Sequence, residues 1–433
     1  AAGGGDITGL ALSKALGNGS VTIASTDGSG TGGNIDINDV VNWSAGTTLV
    51  LNATNAINVN AAITGANGDL TLTAGTDINV NAPSSLKVNT LTATADDNVN
   101  INAVQTWAYN GAWTFNGTNI NVNDTVDWSN GTLTLNADAA GGFINLNAVM
   151  TASDKAKLVV TYNPDMDTST VDYTYQSYNW LTDSMDTITD TQPSATYGTP
   201  LGGINPLFAA DGKSFLGKID FINSEAANAL TINGQVYTLI TSMDQLANIS
   251  TVSRNADGSV ATDPDTGDPL SYTLASGNYA LATDLDASDK VYPGTIVWQL
   301  TGNLEGLGHV VNNLTIKPPL EANVVSPYYT EYSEDGALAL IGTVGGIPGG
   351  RDYFDNTPII VTANGSPQVR NLGVTNVSIQ TAYLNSSLTV DAASGASGLV
   401  DTNYGVIINT FATGKDSPII TGSAFDGNTN VND

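Results

Sequence analysis

The amino-acid sequence predicts an all-β fold, a right-handed parallel β-helix (solenoid) with lateral hairpin and loop insertions. A strand motif in which aliphatic residues alternate with Asn or Asp recurs about every 21 residues over the first third of the chain. A second alternating strand falls between successive copies of the first. Charged residues make up only 12% of the chain, against a usual share of about 25%. Asn, Thr, Ser and Gly must therefore supply most of the polar surface.

The first strand motif has six copies, whose first residues are 22, 21, 21, 21 and 24 positions apart. The copies are Ile35-Asp36-Ile37-Asn38, Ile57-Asn58-Val59-Asn60, Ile78-Asn79-Val80-Asn81, Val99-Asn100-Ile101-Asn102, Ile120-Asn121-Val122-Asn123 and Ile144-Asn145-Leu146-Asn147. The strands between them are Leu49-Val50-Leu51, Leu70-Thr71-Leu72, Leu91-Thr92-Ala93, Trp113-Thr114-Phe115 and Leu133-Thr134-Leu135.

Alternation with a period of two indicates strands that bury one face, and one such unit cannot bury its apolar row alone. If repeats stack about 4.8 Å apart, their Ile, Val and Leu rows line one continuous core. Asn residues at equivalent positions can then form amide ladders. An antiparallel sandwich is the alternative for any two of these strands, but six copies in register favour the β-helix. The segment Val41–Thr47 returns as Val126–Thr132, and we expect its Trp43 and Trp128 to pack at a corner rather than bind a ligand.

The predicted domain organisation has three parts. Residues 1–152 form β-helix coils with the 21-residue period, and residues 153–215 form an insertion or extra-helical hairpin rich in Tyr and Asp. Residues 216–433 continue the β-helix in larger coils, with loop insertions near 250–275 and 320–368. A short helical turn is expected near Ser242–Leu246, with Ser242 as its N-cap, and no helical period of useful length is evident elsewhere.

The insertion carries an aromatic stripe that could stack on sugar rings. Its members are Tyr173, Tyr175, Tyr178 and Trp180. These residues are candidate ligand contacts, although covering the side of the helix is the commoner use of such a stripe.

A series of motifs follows in linear order over roughly residues 210–420. Its members are Phe215–Phe221, Leu230–Ile240, Gly277–Ser288, Leu304–Ile316, Val369–Val374 and Gly398–Gly414. The series resembles the filamentous-haemagglutinin-like exoproteins of two-partner secretion, which include biofilm-matrix adhesins. Leu304–Ile316 looks like the family segment F-D-G-x-G-H-x-I-x-N-L-T-I, although Leu304-Glu305 replaces its aromatic residue and Asp. Gly398–Gly414 resembles a GLUG repeat.

The resemblance implies an interior fragment of a large bacterial adhesin that is secreted to the cell surface or extracellular matrix. It implies exopolysaccharide or a cell-surface glycan as the partner. For the parent protein it also implies an outer-membrane secretion pore. Self-association of copies is a further expectation, because uncovered end coils present open strand edges.

Charge and composition exclude several classes of protein. The 12 basic and 41 acidic residues give a net charge of −29, which argues against nucleic acid or anionic lipid as a partner. There is no Cys, and therefore neither a disulfide nor a thiol nucleophile. No stretch of about 18 apolar residues occurs, so we expect no membrane insertion.

We expect no enzymatic activity and no cofactor other than calcium. Nucleophilic catalysis needs a base beside the nucleophile, and the only histidine, His309, follows a Gly in a repeated turn context that favours a structural role. Calcium is a candidate ligand because Asp257, Asp263, Asp265 and Asp268 place hard oxygen donors in one turn. The alternative for these residues is a solvated acidic turn.

Three functions remain open from the sequence. The first is the structural shaft of an adhesin that mediates cell–cell, surface or exopolysaccharide attachment in a biofilm matrix. The second is a self-assembling extracellular filament subunit. The third is a polysaccharide lyase or hydrolase on a β-helix, for which the scattered basic residues offer no convincing catalytic set.

Overall fold

The protein is described by a computed structural model. The described residues are 7–25, 32–107, 110–137, 141–165, 170–179, 184–193, 200–256, 260–261, 263–264, 269–317, 338–345, 367–379, 397–403 and 405–414. The fold is mostly β, and most of its strand pairs are parallel.

The strands are numbered in chain order. The first eighteen are β1 (Val21–Ala24), β2 (Ile35–Ile37), β3 (Val41–Trp43), β4 (Thr48–Ala53), β5 (Ile57–Val59), β6 (Ile63–Ala74), β7 (Ile78–Val80), β8 (Leu86–Ala95), β9 (Asn98–Ile101), β10 (Gln105–Trp107), β11 (Ala112–Gly117), β12 (Asn119–Val122), β13 (Val126–Trp128), β14 (Thr132–Ala137), β15 (Phe143–Leu146), β16 (Val149–Ser153), β17 (Lys157–Thr161) and β18 (Thr170–Asn179).

The later strands are β19 (Ser184–Pro193), β20 (Gly203–Pro206), β21 (Lys218–Ile222), β22 (Leu230–Ile232), β23 (Gln235–Ile240), β24 (Asn278–Leu281), β25 (Leu285–Asp286), β26 (Val297–Leu300), β27 (Asn303–Glu305), β28 (Val310–Asn312), β29 (Thr315–Ile316), β30 (Ile341–Val344), β31 (Gln368–Arg370), β32 (Gly373–Ile379), β33 (Val400–Asn403), β34 (Val406–Ile408) and β35 (Phe411–Gly414). The described residues also contain two helices, α1 (Gly9–Leu16) and α2 (Met243–Asn248).

Successive repeats contribute equivalent strands to the same sheets. The six Asn-bearing strands and β20 form a seven-stranded sheet in the order β2-β5-β7-β9-β12-β15-β20, and every neighbouring pair is parallel. The intervening strands form a larger sheet that begins β1-β4-β6-β8-β11-β14-β17-β22, and a third sheet has the order β10-β13-β16-β21. The prediction of parallel pairing between the repeats is therefore confirmed for these strands.

The register places like residues over like residues. In the largest sheet Leu49 pairs with Leu70, and Leu70 pairs with Leu91. In the Asn-bearing sheet Ile57 pairs with Ile78 and then Val99. These side chains are 0% or 1% exposed and belong to one apolar cluster, which runs from Leu12 to Leu307. A one-residue slip would turn each apolar row outward, so burial of the rows fixes the register.

The segment predicted as an insertion, residues 153–215, contains the antiparallel hairpin β18–β19. Its flanks belong to the repeat, because β17 pairs with β14 and β22, and β20 pairs with β15. The hairpin thus leaves the stacked strands after β17 and returns to them at β20.

A tight antiparallel pair, β22–β23, stands within the largest sheet. Asn233 (φ 49°) and Gly234 (φ 76°) form the turn between its strands. An Asn-Gly pair suits a two-residue hairpin because both positions need positive φ. Parallel pairing then resumes from β23 to β24, β27, β31 and β34. A second apolar cluster, from Ile240 to Val400, lies in this later part.

Helix α1 covers the edge of β3. Its Leu16 is fully buried, and the Ser13 hydroxyl accepts a hydrogen bond from the backbone N–H of Asn42 at 2.8 Å. The Thr47 hydroxyl donates to the Leu16 carbonyl at 2.6 Å. The sequence-based expectation that no useful helix occurs outside Ser242–Leu246 was wrong here, because α1 depends on packing two leucines against the first repeats.

Helix α2 confirms the expectation of a helical turn near Ser242–Leu246, since the Ser242 hydroxyl accepts a hydrogen bond from the backbone N–H of Gln245. Neither helix of the described residues is long enough to cross a membrane.

Candidate functional site

The outward face of the Asn-bearing sheet carries two files of stacked side chains. We call this surface the Asn face. The central file consists of Asp36, Asn58, Asn79, Asn100, Asn121, Asn145 and Asn205, and the edge file consists of Asn38, Asn60, Asn81, Asn102, Asn123 and Asn147. Their apolar neighbours in each strand point into the core, which leaves these residues on the outer side of the pleat.

Each amide in the central file donates to the residue one repeat earlier. Asn79 Nδ2 donates to Asn58 Oδ1 at 2.9 Å, Asn100 Nδ2 to Asn79 Oδ1 at 2.8 Å, and Asn121 Nδ2 to Asn100 Oδ1 at 2.7 Å. The row continues through Asn145 and Asn205 at 2.8 and 2.9 Å. The prediction of amide ladders is therefore confirmed.

The central file begins at a carboxylate. Asp36 Oδ1 accepts from Asn58 Nδ2 at 2.7 Å. A shorter file starts in the same way, because Asp77 Oδ1 accepts from Asn98 Nδ2 at 3.0 Å and Asn98 Oδ1 accepts from Asn119 Nδ2 at 3.0 Å. An ionised carboxylate only accepts hydrogen bonds, so it suits the first position of a row in which donation runs toward lower residue numbers.

The edge file has the same geometry and is more exposed. Asn60, Asn81, Asn102, Asn123 and Asn147 each donate to the preceding member at 2.7–2.9 Å. An Asn amide has two N–H donors and an oxygen with two lone pairs. Because one donor and one lone pair are used along the ladder, each interior amide keeps one of each for an external partner.

A second group of polar contacts surrounds His309, which is fully buried. Its Nε2 is 2.8 Å from the Ile219 carbonyl oxygen, and its Nδ1 is 3.1 Å from Asp284 Oδ1. Lys218 Nζ is 3.0 Å from Asp284 Oδ2. Burial raises the pKa of Asp284, but hydrogen bonds from His309 and Lys218 outweigh burial and hold that pKa well below its usual range. Since both ring nitrogens contact protein acceptors, this arrangement ties β21 to the turn before β28.

Glu305, at the end of β27, is also buried. Burial raises the pKa of its carboxyl to about 7, although the Leu307 N–H, the Asn371 amide and the nearby Arg370 partly oppose the rise. Asn371 Nδ2 donates to Glu305 Oε1 at 2.7 Å and to the Ile204 carbonyl at 3.0 Å. The Glu305 and His309 contacts therefore connect strands of the earlier repeats with the later part of the chain. Sequence spacing gives no signal for this network.

The two repeated tryptophans are buried, with Trp43 4% and Trp128 3% exposed. Gly65 and Gly68 lie against the Trp43 indole, where a Cβ would overlap the ring. Trp128 lines a small cavity together with Trp107 and Trp113. Both tryptophans are therefore packed side chains, and their position at a corner of the coil stays a prediction.

The candidate ligand contacts Tyr173, Tyr175 and Tyr178 all belong to β18, whereas Trp180 lies outside the described residues. The stacking of these residues on sugar rings stays a prediction.

The calcium candidates fall mostly outside the described part of the chain. Asp263 is half-exposed in a loop, and Asp257, Asp265 and Asp268 are not among the described residues. Within the described ranges, no three carboxylate or imidazole groups come close enough to hold a metal ion. Calcium binding by the four aspartates therefore stays a prediction.

No family model, curated protein or solved structure matches the chain. The resemblance to secreted haemagglutinin-like proteins therefore depends on the sequence motifs alone.

Proposed function

We propose that the chain is a right-handed parallel β-helix that forms part of the shaft of a secreted bacterial adhesin. In this proposal each repeat is one coil, or rung, and the stacked rungs hold surfaces that attach to exopolysaccharide, to cell-surface glycans or to neighbouring cells. The supporting observation is the register of the repeats, since strands of successive repeats pair in parallel for six consecutive steps, the first with Asn over Asp and the next five with Asn over Asn. Such a stack is stiff because each rung is hydrogen-bonded to the next.

The burial of the titratable groups also favours a structural role over catalysis. His309 is fully buried with both ring nitrogens engaged, and Glu305 is 3% exposed. A general acid or base must come within hydrogen-bond reach of a substrate, and these two groups instead contact the backbone and side chains of neighbouring strands.

Engineered disulfides test the stacking. The chain has no Cys, so a pair introduced at Asn60 and Asn81 reports only on its own separation. Stacked rungs place these Cα atoms about 4.8 Å apart, within the usual range of about 4.4–6.8 Å for a disulfide. The control pair, Asn60 and Asn102, lies two rungs apart at about 9.6 Å and is expected to stay reduced. Equal oxidation of both pairs would contradict the β-helix.

Cosedimentation with isolated bacterial exopolysaccharide tests attachment. We expect the chain to pellet with the polymer and to release no reducing ends from it. Release of reducing ends would support the lyase or hydrolase alternative. Long fibres of the protein alone in electron micrographs, without polymer binding, would support the filament alternative.

A further inference from the structure

We infer that the Asn face binds a neutral, extended, β-linked polysaccharide chain that lies along the stacking direction with about one sugar unit per rung. This inference rests on the proposed function and adds the binding surface, the class of glycan and its orientation. The Asn face is defined by the central and edge files described above.

The first argument is unused hydrogen-bonding capacity. Within the ladders each interior amide uses one N–H and one lone pair, which leaves an N–H and a lone pair free on the outer side. Asn81, Asn102 and Asn123 are exposed, and each is held by ladder bonds on both sides. Sugar hydroxyls both donate and accept, so they complement amides that offer one of each. Because the ladder already orders the amides, binding costs little side-chain entropy.

The second argument is periodicity. Ladder members repeat about every 4.8 Å along the stack, and the two files lie about 7 Å apart along each strand. An extended β-linked chain advances by about one rung per sugar, so it can contact successive amides without bending. A coiled α-linked chain would leave the file after a few contacts.

The third argument is charge. From Asn58 to Asn147 both files consist of Asn alone, in a chain whose net charge is −29. A second copy of this chain or an anionic polysaccharide would meet electrostatic repulsion as it approached. A neutral glycan would not, so it fits this face better than either.

The binding experiment uses calorimetric titration of the full chain with cellobiose, cellotetraose and cellohexaose. We expect affinity to rise with each lengthening, since each added sugar reaches another rung. Maltohexaose and polygalacturonate serve as the coiled and the anionic probe, and both are expected to bind much more weakly than cellohexaose. Equal affinity for all three cello-oligosaccharides, or tighter binding of polygalacturonate, would overturn the inference.

The variant carries Asn81→Ala, Asn102→Ala and Asn123→Ala together. Loss of three amides is expected to weaken cellohexaose binding about 10- to 100-fold. The matched control carries Thr92→Ala, Thr114→Ala and Thr134→Ala, which removes three stacked polar side chains from the outward side of the largest sheet, and it is expected to bind like the wild type. Circular dichroism checks that each variant is folded. If the triple Asn variant unfolds, Asn102→Lys replaces it, because a long side chain there blocks close approach.

The outcomes separate this inference from the adhesin proposal. If the wild type pellets with bacterial exopolysaccharide and the Asn variant does so equally well, the inference is wrong and the adhesin proposal stands. If the wild type binds neither cellohexaose nor exopolysaccharide, both are wrong. If sedimentation velocity shows a dimer that the Asn substitutions abolish, the face binds a second copy instead.

Discussion

At the residue scale, the direction of the amide ladder makes Asn and Asp non-equivalent. Asn100 Nδ2 donates to Asn79 Oδ1, and Asn100 Oδ1 accepts from Asn121 Nδ2. A carboxylate at position 100 could accept the hydrogen bond from Asn121, but it could not donate one to Asn79. At the first position of the file, by contrast, Asp36 has only to accept.

We therefore predict that Asn100→Asp destabilises the protein by about 1–3 kcal/mol, because it places two acceptor oxygens face to face. The control, Asp36→Asn, keeps the acceptor for Asn58 and is expected to change stability by less than about 0.5 kcal/mol. Urea unfolding followed by circular dichroism measures both. Equal loss in the two variants would show that ladder direction is unimportant.

Glu305 provides a second prediction, for the pH dependence of stability. Its pKa is raised from 4.5 to about 7 by burial, so the folded state favours the protonated form. The stability that this preference contributes is fully present below about pH 4.5 and is lost as the pH rises through about 7. The loss amounts to about 3 kcal/mol.

Glu305→Gln keeps the acceptor oxygen and removes the titration, so it should flatten the pH profile of the urea midpoint over this range. Glu225→Gln is the control, because Glu225 is exposed and its replacement removes the same charge from the surface. A profile for Glu305→Gln that still falls like the wild type would contradict the assignment.

At the scale of elements, α1 protects the first repeats. It supplies two leucines to the core and a hydroxyl acceptor to the edge of β3. Covered edges prevent unwanted strand pairing, so we expect the helix to limit association at this position.

Leu16→Ala should remove buried contacts at this cover and cost about 2–5 kcal/mol. Leu10→Ala lies on the same helix, but Leu10 is 79% exposed, and we expect a change of less than about 0.5 kcal/mol. Thermal unfolding with light scattering measures stability and association together. If Leu16→Ala behaves like Leu10→Ala, the helix does not protect the core.

Sequence patterns predicted the elements that depend on local periodicity. The strands from Ile35 to Leu146 follow a strict alternation, so their pairing and ladders could be read from spacing alone. Helix α1 has only eight residues and two buried leucines, too short a pattern to identify without its packing partners. The β22–β23 turn carries a clear Asn-Gly signal, but the series of parallel strands around it favours a larger coil at this position.

The polar network around Glu305 and His309 could not be predicted, because its contacts join residues that are far apart in the sequence. His309 contacts Ile219, which is 90 residues away in sequence, and Asn371 contacts Ile204 across 167 residues. Such pairs arise only once the hairpin and later loops have set the path of the chain. Local sequence therefore indicates a turn position for His309, gives no structural signal for Glu305, and does not reveal the contacts of either residue.

At the scale of the whole molecule, side-chain hydrogen bonds connect the regular repeats with the later strands. The Asn371 amide donates to the Ile204 carbonyl at 3.0 Å, and the Asn409 amide donates to Asn205 at 3.2 Å and to Asn371 at 3.1 Å. Asn409 thus extends the central file into the later part of the chain, although its sequence distance from Asn205 is 204 residues.

All amides of a ladder donate their hydrogen bonds in the same direction, so the two ends of the surface are not equivalent. Every side-chain dipole in a file is aligned, so a bound polymer would meet the amides in one fixed order from end to end. A glycan has chemically different reducing and non-reducing termini, and its two orientations on the file are not equivalent. Molecules aligned along one glycan strand would consequently all face the same way, and a matrix built from them would inherit that polarity.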